Sequence, residues 1–438
     1  MIGKQTRGAM IAAVALGVTM PAMAQDDDVA ALRAELAALR AEVAEVRGEA
    51  DQTWMNERRA EEVKTLIAEV LNDADTRASL GQGGLTAGHD GKFFLASADN
   101  AYRLNIGGQI QFRYIANFRN DADDEVTEGF QHRRTKLSFS GHVGDPRLGF
   151  KIMPVVSRNG GNIAIEEAVI NYQLTDDTAI IAGTMKIPFL RETLQSSSRQ
   201  LAVERSLVEA HFGAGYSSGV QLTHRMDPVR LAFMVSDGAG EDFVGFQNTS
   251  THLGLSGRAD VKLAGEWGQL SNFGAWGDEG FAAFLGVAAH FDEGMDDAIV
   301  DDQLRWTVDA TVKMNHIGLY GAVAGLHDTK VAEGAEKFED LGFLVQGSYM
   351  FDDRFEPFAR YEMLMPDSSR DAEDVSLLTL GATYYFKGHA AKLTSDIVWV
   401  MDPLDGTFVG GSNGLGLLTD EAGADDQFVW RTQFQLLF

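Results

Sequence analysis

The chain has 438 residues, no cysteine and a formal net charge of −27. The absence of cysteine excludes disulfides, thiolate metal sites and cysteine nucleophiles. The acidic balance argues against nucleic acid as a partner, because phosphate backbones are bound by clustered Lys and Arg. Glycine is abundant (47) and proline is sparse (8), which is typical of strands and tight turns rather than of disorder.

The first residues, 1–24, have the pattern of an export signal peptide. Lys4 and Arg7 precede the apolar stretch 9–20, and Ala22–Met23–Ala24 is a small-x-small cleavage motif. We therefore expect the mature chain to begin at Gln25. The alternative is an uncleaved anchor, but the apolar stretch is shorter than the roughly 18 residues that a spanning helix needs.

Residues 25–80 are predicted to form a periplasmic α-helical coiled coil. Apolar residues recur with three-four spacing from Val29 to Val46, between charged residues, and the repeat resumes over Val63 to Val70 displaced by one position. Asp26 starts an acidic run that would stabilise a helix N-terminus. The alternative is an amphipathic helix packed on its own chain, but the narrow apolar seam favours self-association.

A Gly-containing linker is predicted for residues 81–100, and over 101–438 the hydrophobic period changes to two. From Leu104 to Tyr114 apolar and polar residues alternate, and the run from Phe428 to the final Phe438 does the same. A strand that faces lipid on one side and water on the other needs this pattern. We predict an all-β fold, a roughly 16-stranded antiparallel transmembrane β-barrel that follows the coiled coil.

Short turns and longer loops alternate through this region, as short periplasmic turns and long external loops do in outer-membrane barrels. The longer loops are 119–130, 187–214, 237–248, 292–302, 328–339, 365–374 and 403–426. One connection breaks the pattern, because residues 262–280 are long where a short turn is expected. A water-soluble β-sandwich is the alternative fold, but it would not need polar residues on the inner face of nearly every strand.

Two motifs resemble the phosphate-selective porin O/P family. Residues 183–192 are similar to its G-Q-x-K-x-P-F motif, with Thr184 in place of the usual Gln, and residues 204–208 are similar to its E-R-S-L motif. The resemblance covers roughly residues 95–438. It implies a homotrimer of outer-membrane barrels with inward-folded loops, in which 187–214 is the constriction loop. Members differ in what they transport, so the solute is not implied.

A pore depends on width, charge and hydration, so the candidate site is a set of pore-lining and constriction cations rather than catalytic residues. These are Arg113, Arg134, Lys136, Lys151, Lys186, Arg191, Arg199 and Arg205. Guanidinium groups bind oxyanions in two-pronged fashion, which would favour anions. The alternative is that such cations are neutralised by Glu166, Glu167, Glu192, Glu204, Asp260 and Asp309. No cofactor or metal ligand is predicted.

The sequence thus predicts an outer-membrane porin for passive diffusion of small hydrophilic solutes, with anions such as phosphate as candidates. Acidic loops at 121–128, 292–302 and 420–426 would instead favour a general or cation-preferring pore. They could also bind divalent cations that bridge to lipopolysaccharide, although none has the spacing of a calcium loop. The partners expected besides solutes are outer-membrane lipid and lipopolysaccharide.

Two further functions were weighed. The coiled coil could reach the peptidoglycan cell wall, with the barrel as a structural anchor. Residues 215–219 match the G-x-S-x-G motif of hydrolases around Ser217. A nucleophile elbow needs a strand, a turn and a helix, whereas an alternating strand follows here, so the chain is predicted not to be an enzyme.

Overall fold

The computed structural model describes residues 37–40, 85–119, 126–158, 160–245, 249–277, 280–295, 302–330, 337–370, 372–404, 414–419 and 427–438. Residues 37–40 are helical. The predicted signal peptide and the remainder of the predicted coiled coil lie outside the described residues. In the described ranges, no helix has the length and apolar character needed to cross a membrane.

The described residues divide into two compact units at the boundary between residues 103 and 104. In the first unit, β1 (Leu85–His89) and β2 (Phe93–Ser97) pair antiparallel, from Leu85 opposite Ser97 to His89 opposite Phe93. Gly91 between them has a φ of 85°, which glycine adopts without steric cost. This β-hairpin lies within the segment predicted as a linker, residues 81–100.

The second unit is a closed barrel of sixteen antiparallel strands, which confirms the predicted fold class. The strands are β3 (Arg103–Phe118), β4 (Val126–Val143), β5 (Asp145–Val156), β6 (Ile163–Gln173), β7 (Thr178–Lys186), β8 (Tyr216–Met226), β9 (Val229–Ser236), β10 (Thr251–Ala264), β11 (Phe281–Gly294), β12 (Asp302–Met314), β13 (Ile317–Lys330), β14 (Glu339–Tyr349), β15 (Phe355–Met365), β16 (Val375–Lys387), β17 (Ala391–Val400) and β18 (Gln427–Leu437). Each strand pairs with its neighbours in sequence, and β18 pairs with β3 to close the ring.

The alternation of side chains explains why these segments form barrel strands. In β18, Phe428, Trp430 and Phe434 are 39%, 44% and 44% exposed, whereas the intervening Arg431 and Gln433 are 2% and 3% exposed. Successive side chains of a strand point to opposite faces. The barrel therefore has an apolar outer surface and a mostly polar interior, as a lipid-facing barrel requires.

The two rims of the barrel differ in the length of their connections. The turn end carries tight connections such as Asn315–His316, whose φ values of 34° and 74° fit a two-residue hairpin turn. The loop end, which is the opposite rim, carries the longer connections, including 187–215 between β7 and β8. Residues 265–280, between β10 and β11, are the long exception at the turn end.

Candidate functional site

The constriction loop, residues 187–214, lies inside the barrel. It contains two short helices, α1 (Arg191–Leu194) and α2 (Leu207–Phe212), and a 3₁₀ turn at Ser197–Arg199. Phe189, Leu207 and Phe212 are at most 1% exposed. They join an apolar cluster whose strand residues come mainly from β13 to β18 and also from β6, β7, β9 and β11, and α2 packs against β13, β14 and β15. Burial of this apolar surface holds the loop against one wall of the barrel.

Glu204 ties the loop to β3 and β4, the strands that follow β18 around the ring. Its carboxylate is contacted by the guanidinium groups of Arg113 (3.3 Å), Arg133 and Arg134, which come from β3 and β4. Burial alone would raise the pKa of Glu204, but the positive charges of Arg133, Arg134 and Arg113 lower that pKa well below its ordinary value. Glu204 is therefore an ionised anchor held by three charge-assisted contacts.

The backbone around Glu204 is held by the wall formed by β15, β17 and β18. The Val203 N–H donates to Asp396 Oδ2 at 2.9 Å, and Asp396 in turn accepts from Arg431 Nε at 2.7 Å. Arg360 Nη1 donates to the carbonyl oxygen of Glu204 at 3.1 Å. The loop thus leaves the barrel wall at β7 and β8, crosses the lumen and is anchored on the far arc formed by β15 to β18, β3 and β4.

A second carboxylate, Glu192, links the two motifs that the sequence carries. It accepts from the Ser206 backbone N–H at 2.8 Å and from the Ser206 hydroxyl, and Ser206 Oγ caps α2 by accepting from the Glu209 N–H at 2.8 Å. Arg360 lies 3.4 Å from Glu192. Burial raises the pKa of Glu192 despite Arg360, because the charged carboxylate has lost most of its water. The motif residues therefore fold the loop.

Two predicted pore-lining lysines lie on the wall of β4 to β6 and are paired. Lys136 Nζ donates to Glu166 Oε1 at 2.6 Å, and Lys151 Nζ lies 2.6 Å from Glu167 Oε2. The Lys151 side chain is 37% exposed. The alternative from the sequence is that carboxylates neutralise the lumen cations. These two pairs fit that alternative, and so does the pairing of Arg113 and Arg134 with Glu204.

The other four predicted residues contact the loop itself or its surroundings. Lys186 Nζ donates to the carbonyl oxygens of residues 194 and 195 at 3.3 and 3.4 Å, and Arg205 Nε donates to the Glu192 carbonyl at 3.1 Å. Arg191 and Arg199 donate to backbone carbonyls at residues 270 and 271. All eight predicted cations therefore have protein acceptors, and Arg113, Arg134 and Arg191 are buried.

The two halves of the lumen differ in access to water. On one side Lys313, Arg360 and Arg431 are at most 2% exposed under the segments that cover them. Among the partly exposed lumen residues of β4 to β7 and the adjoining loop pair Arg205–Glu209, cations (Arg133, Lys136, Lys151, Lys186 and Arg205) outnumber carboxylates (Glu166, Glu167 and Glu209). The water-accessible part of the lumen thus has a cationic excess in this group.

Sequence reasoning missed Arg133 and Arg360 in this site. Arg133 follows the outward-facing His132 and precedes Arg134, yet both arginines contact Glu204. Two consecutive lumen-facing residues break the strict alternation on which the prediction rested. Arg360 lies in a strand that alternates normally, but only the folded barrel brings it to Glu192 and Glu204.

The G-x-S-x-G segment does not form a nucleophile elbow. Ser217 is fully buried at the start of β8, an eleven-residue strand, and no helix follows it. Its hydroxyl lies 3.4 Å from the Glu241 carbonyl oxygen, to which it donates. The context that a hydrolase serine requires is missing at this position.

Comparisons with known proteins relate this chain to porins. The family model for phosphate-selective porins O and P matches residues 104–276. An uncharacterized protein of Aquifex aeolicus (strain VF5) is 24% identical over 266 residues, which are 54% of this chain and 63% of that relative. The match thus spans less than two thirds of the relative.

Solved porin structures share the fold. An anion-selective porin from Comamonas acidovorans has a TM-score of 0.55 at 11% identity, covering 76% of this chain and 99% of its own. Pseudomonas putida OprB has a TM-score of 0.52 at 9% identity, covering 76% and 94%. The outer membrane channel DcaP of Acinetobacter baumannii has a TM-score of 0.50 at 12% identity, covering 77% and 98%. At these identities the likeness concerns the fold.

Proposed function

We propose that this chain is an outer-membrane porin of the phosphate-selective porin O/P type, which lets small hydrophilic solutes diffuse passively and favours anions. The observation that carries the proposal is the constriction loop, which crosses the lumen from β7 and β8 and is anchored on the far arc of β15 to β18, β3 and β4. The family match over residues 104–276 includes this loop and both of its motifs.

The path we propose runs between the constriction loop and the wall of β4 to β7. Lys136 and Lys151 are paired with carboxylates, so each contributes a partly screened charge rather than a free one. The excess of cations in this half of the lumen would still lower the free energy of a passing anion relative to a cation. Selectivity is therefore expected to be moderate, since no lysine or arginine of the predicted set is left without a protein acceptor.

The neutralised cations favour a second candidate, a general or cation-preferring pore whose selectivity is set by acidic loops. Most residues of the acidic loops lie outside the described residues. The discriminating experiment is block of chloride current by phosphate in planar bilayers. Phosphate block that is weakened in Lys136→Gln supports the anion path, with Lys387→Gln at the exposed turn end as a matched charge control. No block in the wild-type protein supports the general pore.

The assembly is part of the proposal. The apolar outer belt is suited to outer-membrane lipid, and the family resemblance suggests a homotrimer in contact with lipopolysaccharide. The predicted coiled coil over 25–80 is proposed to be periplasmic, where it could trimerise or contact peptidoglycan. Deleting residues 26–80 tests the anchor alternative: intact conductance with lost envelope attachment would make tethering the main role of this segment.

A further inference from the structure

The anomalous connection at the turn end folds into the barrel. Residues 265–277, here called the turn-end segment, contain a 3₁₀ helix at Trp267–Ser271 and connect β10 to β11. Leu270, Phe273 and Ala275 are 8%, 1% and 3% exposed. A connection that merely joined two strands outside the barrel would not bury its apolar side chains in this way.

The interior wall holds this segment by specific contacts. Lys313 Nζ, on β12, donates to Asn272 Oδ1 at 2.8 Å and to the Phe273 carbonyl at 3.2 Å. The Phe273 ring lies 4.5 Å from that of Tyr320 on β13. Lys313 is fully buried, so its ammonium group depends on oxygen atoms that the segment supplies. These contacts therefore fix the turn-end segment in one position against the inner face of the barrel wall.

Two glycines allow the close approach. A Cβ at Gly318 would lie 2.7 Å from the Phe273 carbonyl oxygen, and a Cβ at Gly388 would lie 2.4 Å from the Trp276 ring. That ring also packs on Tyr385 at 5.7 Å and on His389 at 5.3 Å. Trp276 thus covers the turn-end rim of β16 and β17.

Inside the lumen the turn-end segment meets the constriction loop. Arg191 and Gln195 donate to the carbonyl oxygens of Leu270 and Ser271, and Arg199 Nη1 donates to the Ser271 carbonyl at 3.4 Å. The Arg191 guanidinium also lies 5.5 Å from the centre of the Phe273 ring. Two segments that enter from opposite rims are therefore joined in the interior of the barrel.

We propose that the turn-end segment is a second constriction element, which limits the inner half of the pore and fixes the position of the constriction loop. This inference rests on the proposed function of the barrel as a pore. It assigns a role to residues outside both family motifs, and it predicts that solute size is limited jointly by the two segments.

The test compares single-channel conductance of the full-length protein with that of a variant lacking residues 267–276. We expect a conductance increase of about twofold or more, because the inner restriction is removed while the strands stay connected. The outward-facing Phe233→Ala variant controls for general perturbation of the barrel, and heat-modifiable migration confirms folding. Unchanged conductance in a folded deletion variant, with a conducting wild type, overturns the inference and leaves the proposed function intact.

The remaining outcomes separate the two claims. If the wild type does not conduct but the deletion variant does, the result supports the constriction element and contradicts an open porin. If neither protein conducts, both claims are contradicted. If the deletion variant does not fold, the cysteine-free chain allows a second test. Ser271→Cys should lose current on reaction with a charged thiol reagent, whereas Leu231→Cys on the outer face should not. Equal responses of the two cysteines overturn the inference.

Discussion

At the scale of single residues, the two motif carboxylates of the constriction loop have pKa values shifted in opposite directions. Glu204 is buried among three arginines that lower its pKa, whereas burial raises the pKa of Glu192. In the sequence analysis both glutamates are named, but only among the carboxylates that could neutralise pore cations. Their burial and partners depend on which strands face the loop, and a linear motif does not contain that information.

Glu204→Gln should loosen the constriction loop. Breaking a buried charge pair typically costs about 3–5 kcal/mol, because the remaining charges are left buried and uncompensated. We expect larger current fluctuations in planar bilayers and a shift of reversal potential toward anions. Asp177→Asn, in an exposed turn, removes the same charge and should change neither quantity. If Glu204→Gln has the same current fluctuations and reversal potential as the wild type, the Glu204 anchor is not needed to hold the constriction loop.

The pH dependence of the loop follows from the signs of the two pKa shifts. Above its ordinary pKa of about 4.3, Glu204 contributes its full stabilisation to the docked constriction loop. This contribution is lost as the pH falls through the lowered pKa that Glu204 has in the folded state. Glu192 has a raised pKa, so its contribution is full below its ordinary pKa and is lost as the pH rises through the raised value. The loop should be held most tightly in mildly acidic solution.

The measurement is current fluctuation as a function of pH for the wild type and Glu192→Gln. The wild type should fluctuate least in mildly acidic solution, and the variant should lose the increase that follows as the pH rises. A minimum at alkaline pH, or an unchanged profile in Glu192→Gln, would contradict the assignment of these two groups.

At the scale of elements, the constriction loop contains a helix whose cap belongs to a family motif. Ser206 caps α2, and Glu362 on β15 accepts from the Leu207 N–H, so the helix N-terminus is satisfied by both the loop and the wall. The sequence predicted the loop bounds well, because strand alternation stops at Lys186 and resumes at Tyr216. It did not predict that the turn-end segment enters the barrel, since Gly and Trp residues carry no signal for the direction of a connection.

Ser206→Ala should destabilise α2 selectively. Loss of a serine cap costs about 1 kcal/mol, which corresponds to roughly fivefold faster local opening. Hydrogen exchange of the α2 amides measures this change, and amides of β12 should stay protected as an internal reference. Ser206→Thr keeps the hydroxyl and should exchange like the wild type. Equal rates in Ser206→Ala and Ser206→Thr would exclude a capping role.

At the scale of the whole molecule, the barrel closes where its first and last strands meet. The Gly108 N–H donates to the Phe438 carbonyl at 2.8 Å, and the Phe438 N–H donates to the Gly108 carbonyl at 3.1 Å. The Phe438 ring lies over Gly108, where a Cβ would approach it to 2.2 Å. Period-two alternation predicted the barrel, whereas the pairing of Gly108 with Phe438 follows only from the register of closure.

Gly108→Leu should impair closure, because the new side chain would displace the Phe438 ring at the seam. The fraction of folded protein, measured by heat-modifiable migration on gels, is expected to fall. Gly257→Leu is the matched control, since a Cβ there has no neighbour within 4 Å. Adding Phe438→Ala to Gly108→Leu should restore part of the folding. Equal folding of the two leucine variants would contradict a role for this contact.

The central claim is that the lumen forms a narrowed diffusion pore with a moderate preference for anions. Its most direct test is the reversal potential of the purified protein in a planar bilayer under a KCl gradient. The arrangement of Lys136, Lys151, Lys186 and their neighbours predicts a conducting channel whose reversal potential lies toward that of chloride. A reversal potential toward potassium, or no conductance, would contradict it.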